Sequence, residues 1–102
     1  MRDAPLGTFE EQVMLAVLRT GAEAYGMNVR RELERVTGRD VAIGAVYATL
    51  DRLEAKRLVR SRRSRAGGAA RRIFDVTRAG LVALAESREM RERLWAGVEL
   101  SL

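Results

Sequence analysis

Between Val41 and Thr77 the chain changes character, and that change limits the folds open to it. An amphipathic helix gives way to two short strand-like runs around a Gly-Gly turn, with arginines crowded onto the strands and the turn. Residues 52–78 hold nine arginines and Lys56 against Glu54 and Asp75, a net +8, whereas the whole chain is +5. The remainder therefore sums to −3, and the positive charge is confined to one stretch. A localised cationic surface beside a presentable helix suits a polyanion such as duplex DNA.

The segments around this stretch supply the rest of a small domain. Thr8-Phe9-Glu10-Glu11 fits a capping box in which Thr8 caps and Glu11 reaches back, opening a helix that runs to about Thr20. Val13 to Leu18 are all apolar, so this helix has one face for its own domain and another for a second surface. Gly21 ends it. A second helix is expected from about Tyr25 to Val36, with Val29, Leu33 and Val36 as its buried stripe and Gly38 as a left-handed stop. Arg39 to Ile43 reads as a connector with room for one β-bridge. The third helix is expected from about Gly44 to Lys56. Ile43, Val46, Tyr47, Leu50 and Leu53 form its core stripe, and Gly44, Ala45, Ala48, Asp51 and Arg52 its opposite face.

Leu58–Ser64 and Arg71–Val76 have strand character, with Ala66-Gly67-Gly68-Ala69 as a hairpin turn between them. Thr77-Arg78-Ala79-Gly80 opens a last helix extending to about Val98. Leu81, Leu84, Ser87, Met90, Leu94 and Val98 recur along it every three or four residues. A core of this size covers only part of so long a helix. The order helix, helix, helix, hairpin, helix is that of a winged helix, mainly α with a small antiparallel β-hairpin. Residues 1–78 are expected to form the winged-helix unit and residues 79–102 a C-terminal helix, packed together as one compact body.

Composition narrows the chemistry. The chain has 102 residues, no Cys and no His. One domain follows, without disulfides or thiolate metal sites, and without the commonest general base. No apolar run approaches the roughly 20 residues of a membrane span, and Met1–Pro5 lack the apolar core of a signal peptide. A soluble cytoplasmic protein that binds no cofactor, metal or membrane is expected. There is no nucleotide-binding glycine loop and no evident pair of catalytic carboxylates, so an enzyme is not expected. Arginine outnumbers lysine 18 to 1. Phosphate recognition and a GC-rich genome both produce that bias, so the placement of the arginines carries the argument and their number does not.

The segments Tyr25-Gly26-Met27, Arg31-Glu32-Leu33, Gly44-Ala45-Val46-Tyr47-Ala48-Thr49-Leu50-Asp51-Arg52-Leu53-Glu54, Leu58-Val59 and Thr77-Arg78-Ala79-Gly80 together resemble the PadR-type transcriptional regulators over nearly the whole chain. The G-x-V-Y-x-x-L-x-R-L-E pattern of the third helix is the specific part. The resemblance implies a DNA-binding homodimer, usually a repressor, on a two-fold-related operator, with dimerisation through the C-terminal helix aided by the first. The chain departs from the family in three places. Arg57 stands where the family often has Gly, which implies a differently built turn. Phe74 is the only aromatic of the second wing strand. The C-terminal region is short.

The candidate residues follow. Gly44, Ala45, Tyr47, Ala48, Asp51 and Arg52 form the base-approach face of the third helix. Tyr47 is either a plain core residue or one whose hydroxyl reaches a phosphate. Arg52 either holds a phosphate or pairs with Glu32 or Asp51. Arg62, Arg63, Arg65, Arg71 and Arg72 surround the wing tip and suit phosphate or minor-groove contact. Tyr25, Asn28 and Arg31, at the start of the second helix, are further backbone contacts. Leu15, Leu84, Leu94, Trp95 and Val98 are the dimer surface. Trp95 is interface packing or a flat wall for a small planar apolar effector between subunits. The alternative function is a winged helix whose basic wing binds an acidic protein. RNA binding is weaker because the wing lacks exposed aromatics for base stacking.

Overall fold

The computed structural model describes residues 6–65 and 70–102. The elements are α1 (Thr8–Thr20), a single 3₁₀ turn (Gly21–Glu23), α2 (Gly26–Thr37), α3 (Ile43–Ala55), β1 (Val59–Ser64), β2 (Arg71–Val76) and α4 (Arg78–Trp95). The strands pair antiparallel, from Val59 opposite Val76 to Ser64 opposite Arg71. The winged-helix order expected from the sequence is the one observed. The Ala66–Ala69 turn and the first five residues lie outside the described residues.

One core joins these elements. Val13, Met14, Ala16 and Val17 of α1 meet Val29 and Leu33 of α2, Val46, Leu50 and Leu53 of α3, Val59 and Phe74 of the hairpin, and Leu84 of α4. Phe74 is among the largest fully buried side chains, so β2 is anchored from beneath. A third segment extends the hairpin. Tyr25 forms an isolated antiparallel bridge with Ile73, and Phe74 N donates to Ala24 O at 2.9 Å. The bridge thus lies before α2. None is present in the 39–43 connector, where Arg30 Nε and a Glu34 carboxylate oxygen satisfy Val41 O and Val41 N.

Local signals differ from expectation where tertiary partners intervene. The capping pair is shifted by one residue: Gly7 is the N-cap and Glu10 Oε1 accepts from Gly7 N at 3.0 Å. Glu11 turns away to α4, where it accepts from Arg91 and from Ser87 Oγ. Val36 is 54% exposed, because the last turn of α2 borders an open apolar groove with Leu15 and Leu18 of α1. Tyr47 is 38% exposed, and Thr49 lies inside the domain instead, its hydroxyl accepting from Arg52. Along α4 only Gly80, Leu84 and Ser87 are buried; Leu81, Met90, Leu94 and Val98 are exposed, and the helix ends at Trp95.

Two backbone positions fasten α3 and α4 to the root of the hairpin. Arg57 has φ +62°, and the amides of Arg57 and Leu58 donate to Glu54 O and Leu53 O. That is a Schellman ending with an arginine at the left-handed position. The turn expected to be built differently is therefore built in the usual way, at a steric cost glycine avoids. Thr77 caps α4 by accepting from Gly80 N, and donates to Arg57 O at 2.7 Å. Gly80 itself lies hard against the strands. A Cβ there would fall 2.1 Å from Leu58 O and 2.7 Å from Val76 Cγ1.

Replacing Gly80 with Ala should lower unfolding free energy by about 3 kcal/mol, the upper end of overpacking penalties. A denaturant midpoint equal to wild type would refute this contact. Arg57→Gly should act oppositely and stabilise by about 0.5–1 kcal/mol, since relief of left-handed strain outweighs the extra freedom of the unfolded chain. The same titration measures it, and a lowered midpoint would contradict the reading.

Candidate nucleic-acid interface

The exposed face of α3 begins with small residues. Gly44, Ala45 and Ala48 are all exposed, and nothing lies within 4 Å of where a Gly44 Cβ would stand. A flat surface can therefore approach the helix backbone over its first two turns. Asp51 and Arg52 continue the same face and are exposed. Tyr47 borders it. Its ring covers Gly26 at the start of α2, where an added Cβ would lie 2.3 Å from Tyr47 Cζ. Glycine at 26 is thus what lets α2 start beneath the aromatic ring of α3.

Arginines of the hairpin stand next to this face. Pairing and pleat put Arg60, Arg62 and Arg71 on one side of the ribbon, and Arg63 and Arg72 on the other. Among the described residues, the side chains of Arg60, Arg62, Arg63 and Arg65 have no hydrogen-bond or ion-pair partner. Arg60 was not singled out by sequence reasoning beyond its share of the charge; the strand alternation with Arg62 was the available signal. Arg71 stacks on the Tyr25 ring, 4.3 Å from its centroid. That contact and the Tyr25–Ile73 bridge bring the start of α2 to the wing. Asn28 and Arg31 are there too, tied to each other through Arg31 Nη1 and Asn28 Oδ1 at 3.0 Å. Arg52 donates to Thr49 Oγ1 at 3.1 Å and pairs with neither Glu32 nor Asp51.

Arg72 is placed differently from its neighbours. It donates to Asp51 Oδ1 at 2.8 Å, to Glu54 and to Ser61 Oγ at 3.0 Å, with its guanidinium 4.7 Å above the Phe74 ring. Glu54 also accepts from Ser61 N at 2.9 Å. The Ser61 hydroxyl, then Arg72, hold the Glu54 carboxyl below its ordinary value of 4.5, against partial burial. These bonds join the hairpin to the last turns of α3.

The proposed dimer residues divide. Leu84 lies in the protomer's own core. Leu15, Leu94, Trp95 and Val98 are exposed, Leu94 at 69% and Trp95 at 56%. Trp95 lines neither of two surface concavities, one between α1 and the α2–α3 connector and one between α1 and α2. No helix among the described residues is long and apolar enough to cross a membrane.

Residues 14–86 match the transcriptional regulator PadR-like family. The chain is 42% identical over 72 residues to the transcriptional regulator Rv3488 of Mycobacterium tuberculosis, a stretch covering 71% of this chain and 66% of that relative. The chain thus spans just under two thirds of that protein's length. Its fold is similar to a PadR family transcriptional regulator from Eggerthella lenta, with TM-score 0.70 and 27% identity over 83% of this chain and 75% of the other. It is also similar to a PadR-like transcription factor from Bacteroides fragilis, with TM-score 0.74 and 25% identity over 86% and 84%.

A depressed Glu54 pKa implies stability that is present above pH 4.5 and lost as pH falls through the folded value. Unfolding midpoints should therefore drop below about pH 4.5, and Glu54→Gln should drop less over that range. Parallel declines in the two proteins would show that Glu54 carries no linkage.

Proposed function

The chain belongs to the PadR-like family of transcriptional regulators, and on that premise we propose that it is a homodimeric DNA-binding repressor of a two-fold-related operator. Members of that family are regulators and not enzymes. The observation that carries the reading is the junction of two surfaces. A helix face of Gly44, Ala45 and Ala48 open to close approach lies beside a ribbon whose Arg60, Arg62, Arg63 and Arg65 side chains have no partner among the described residues. The helix suits the major groove and the ribbon the flanking phosphates. Arg71 on Tyr25, with Asn28 and Arg31, extends the positive rim to the start of α2. The small residues of α3 offer thymine methyl contact but no hydrogen-bond code, which leaves a share of selectivity to DNA shape.

Residues 79–102 supply the pairing surface in this reading. Leu94, Trp95 and Val98 on or just beyond α4, and Leu15 on α1, are apolar side chains that the protomer leaves exposed. Covering them with a second copy sets the two α3 helices at half-sites about 10 bp apart, or a multiple of that. Trp95 then offers a flat wall to a planar apolar effector between protomers. A cytoplasmic location follows from action on DNA.

Affinity for operator DNA should fall by about 0.9 log units per log unit of salt for each phosphate neutralised. Replacing Arg62 and Arg63 with Ala should shallow that slope by about two such increments per protomer and weaken binding to all sequences alike. Electrophoretic shifts over a salt series read both effects. An unchanged slope would remove the wing from the interface, and binding to an acidic protein in place of DNA would favour the rival reading.

A further inference from the structure

We propose that Asp51 is the hydrogen-bonding base reader of α3, that it selects a cytosine, and that Arg72 is the residue that positions it. The proposal rests on the DNA-binding reading above and names the chemistry by which that site tells one sequence from another.

The α3 face is short of groups that can read a base edge. Gly44, Ala45 and Ala48 have no side-chain donor or acceptor, and Thr49 is buried. Gly44, Ala48 and Asp51 lie at i, i+4 and i+7, on one stripe of the helix. Asp51 is therefore the first hydrogen-bonding side chain along it, and that side chain is 61% exposed. Its Oδ1 is occupied by Arg72, while Oδ2 has no partner among the described residues. An ionised carboxylate only accepts. In the major groove guanine shows only acceptors and thymine an acceptor and a methyl, so both reject it. Cytosine N4 is a donor with no acceptor beside it on its own base. Adenine N6 is a donor flanked by the N7 acceptor, which sets a lone pair against the carboxylate.

Arg72 gives this carboxylate a defined aim. All three guanidinium nitrogens are engaged: Nε with Ser61 Oγ, Nη1 with Asp51 and Nη2 with Glu54. Its plane lies over Phe74, itself fully buried. Two carboxylates against one guanidinium leave no surplus positive charge for a phosphate. Arg72 is thus a bracket between wing and helix that holds one Asp51 oxygen and leaves the other outward. An outward carboxylate also repels DNA that offers no donor there, so selectivity comes from rejection as well as attraction.

The test is selection of binding sites from a random duplex pool by wild type, Asp51→Asn, Asp51→Ala and Arg72→Lys, each first checked for a cooperative unfolding transition. Wild type should fix a G·C pair at one column of each half-site. Asp51→Asn keeps an oxygen for Arg72 and turns an N–H donor outward, so that column should lose its cytosine and favour a base that presents a major-groove acceptor there. Asp51→Ala should lose about tenfold in discrimination at that column while binding unselected DNA more tightly. Arg72→Lys should relax the same column and spare the others, which a merely structural role would not do. Enriched sites with the same base preference in wild type and Asp51→Asn would overturn the proposal. If no protein, wild type included, enriches any site, the DNA-binding reading itself falls and takes this proposal with it.

Discussion

A two-stranded ribbon is marginal in water on its own, and here everything functional depends on what holds it down. The grip has two parts. Phe74 places the second strand in the core, in the one apolar cluster to which α1, α2, α3 and α4 all contribute. Above it, the guanidinium of Arg72 ties Ser61, Glu54 and Asp51 together, with the Glu54 carboxylate also accepting a strand amide. The ribbon's direction relative to α3 is therefore set by a buried ring and a charged knot. Arg72 is spent internally, whereas the side chains of Arg60, Arg62 and Arg63 on the same ribbon have no partner among the described residues.

Periodicity made the helices legible. Val46, Leu50 and Leu53 lie at i, i+4 and i+7 and are all fully buried, and Gly38 takes the left-handed conformation its position suggested. The hairpin was legible from two β-prone runs around glycines. Tertiary competition decided what periodicity could not. Val36 shares the spacing of Val29 and Leu33, yet nothing covers the last turn of α2 within the protomer. Glu11 looked like a capping residue because it follows Thr8 by three, but Arg91 and Ser87, some eighty residues on, give its carboxylate better partners. No local pattern announces such a partner.

The site was legible in outline and not in its internal division of labour. Charge placement alone marked the wing. It did not separate Arg72, whose neighbours in space are two acids of α3, from Arg62 and Arg63, which have none. The Tyr25–Ile73 bridge was equally hidden, since a single bridge leaves no periodic trace. Its effect is large: it draws the start of α2 to the wing and lets Arg71 lie on Tyr25. Family membership explains why these surfaces coexist in so small a chain. In the proposed reading one face meets DNA and another a second copy, and the exposed apolar side chains on α1 and α4 are available for the second.

At Gly80, main chain rests on main chain. The first turn of α4 rests on the Leu58 carbonyl as well as on the Val76 and Met14 side chains, with Thr77 hooked to Arg57 alongside. A displacement of the start of α4 therefore meets main chain as well as side chain, and the root of the ribbon resists it directly.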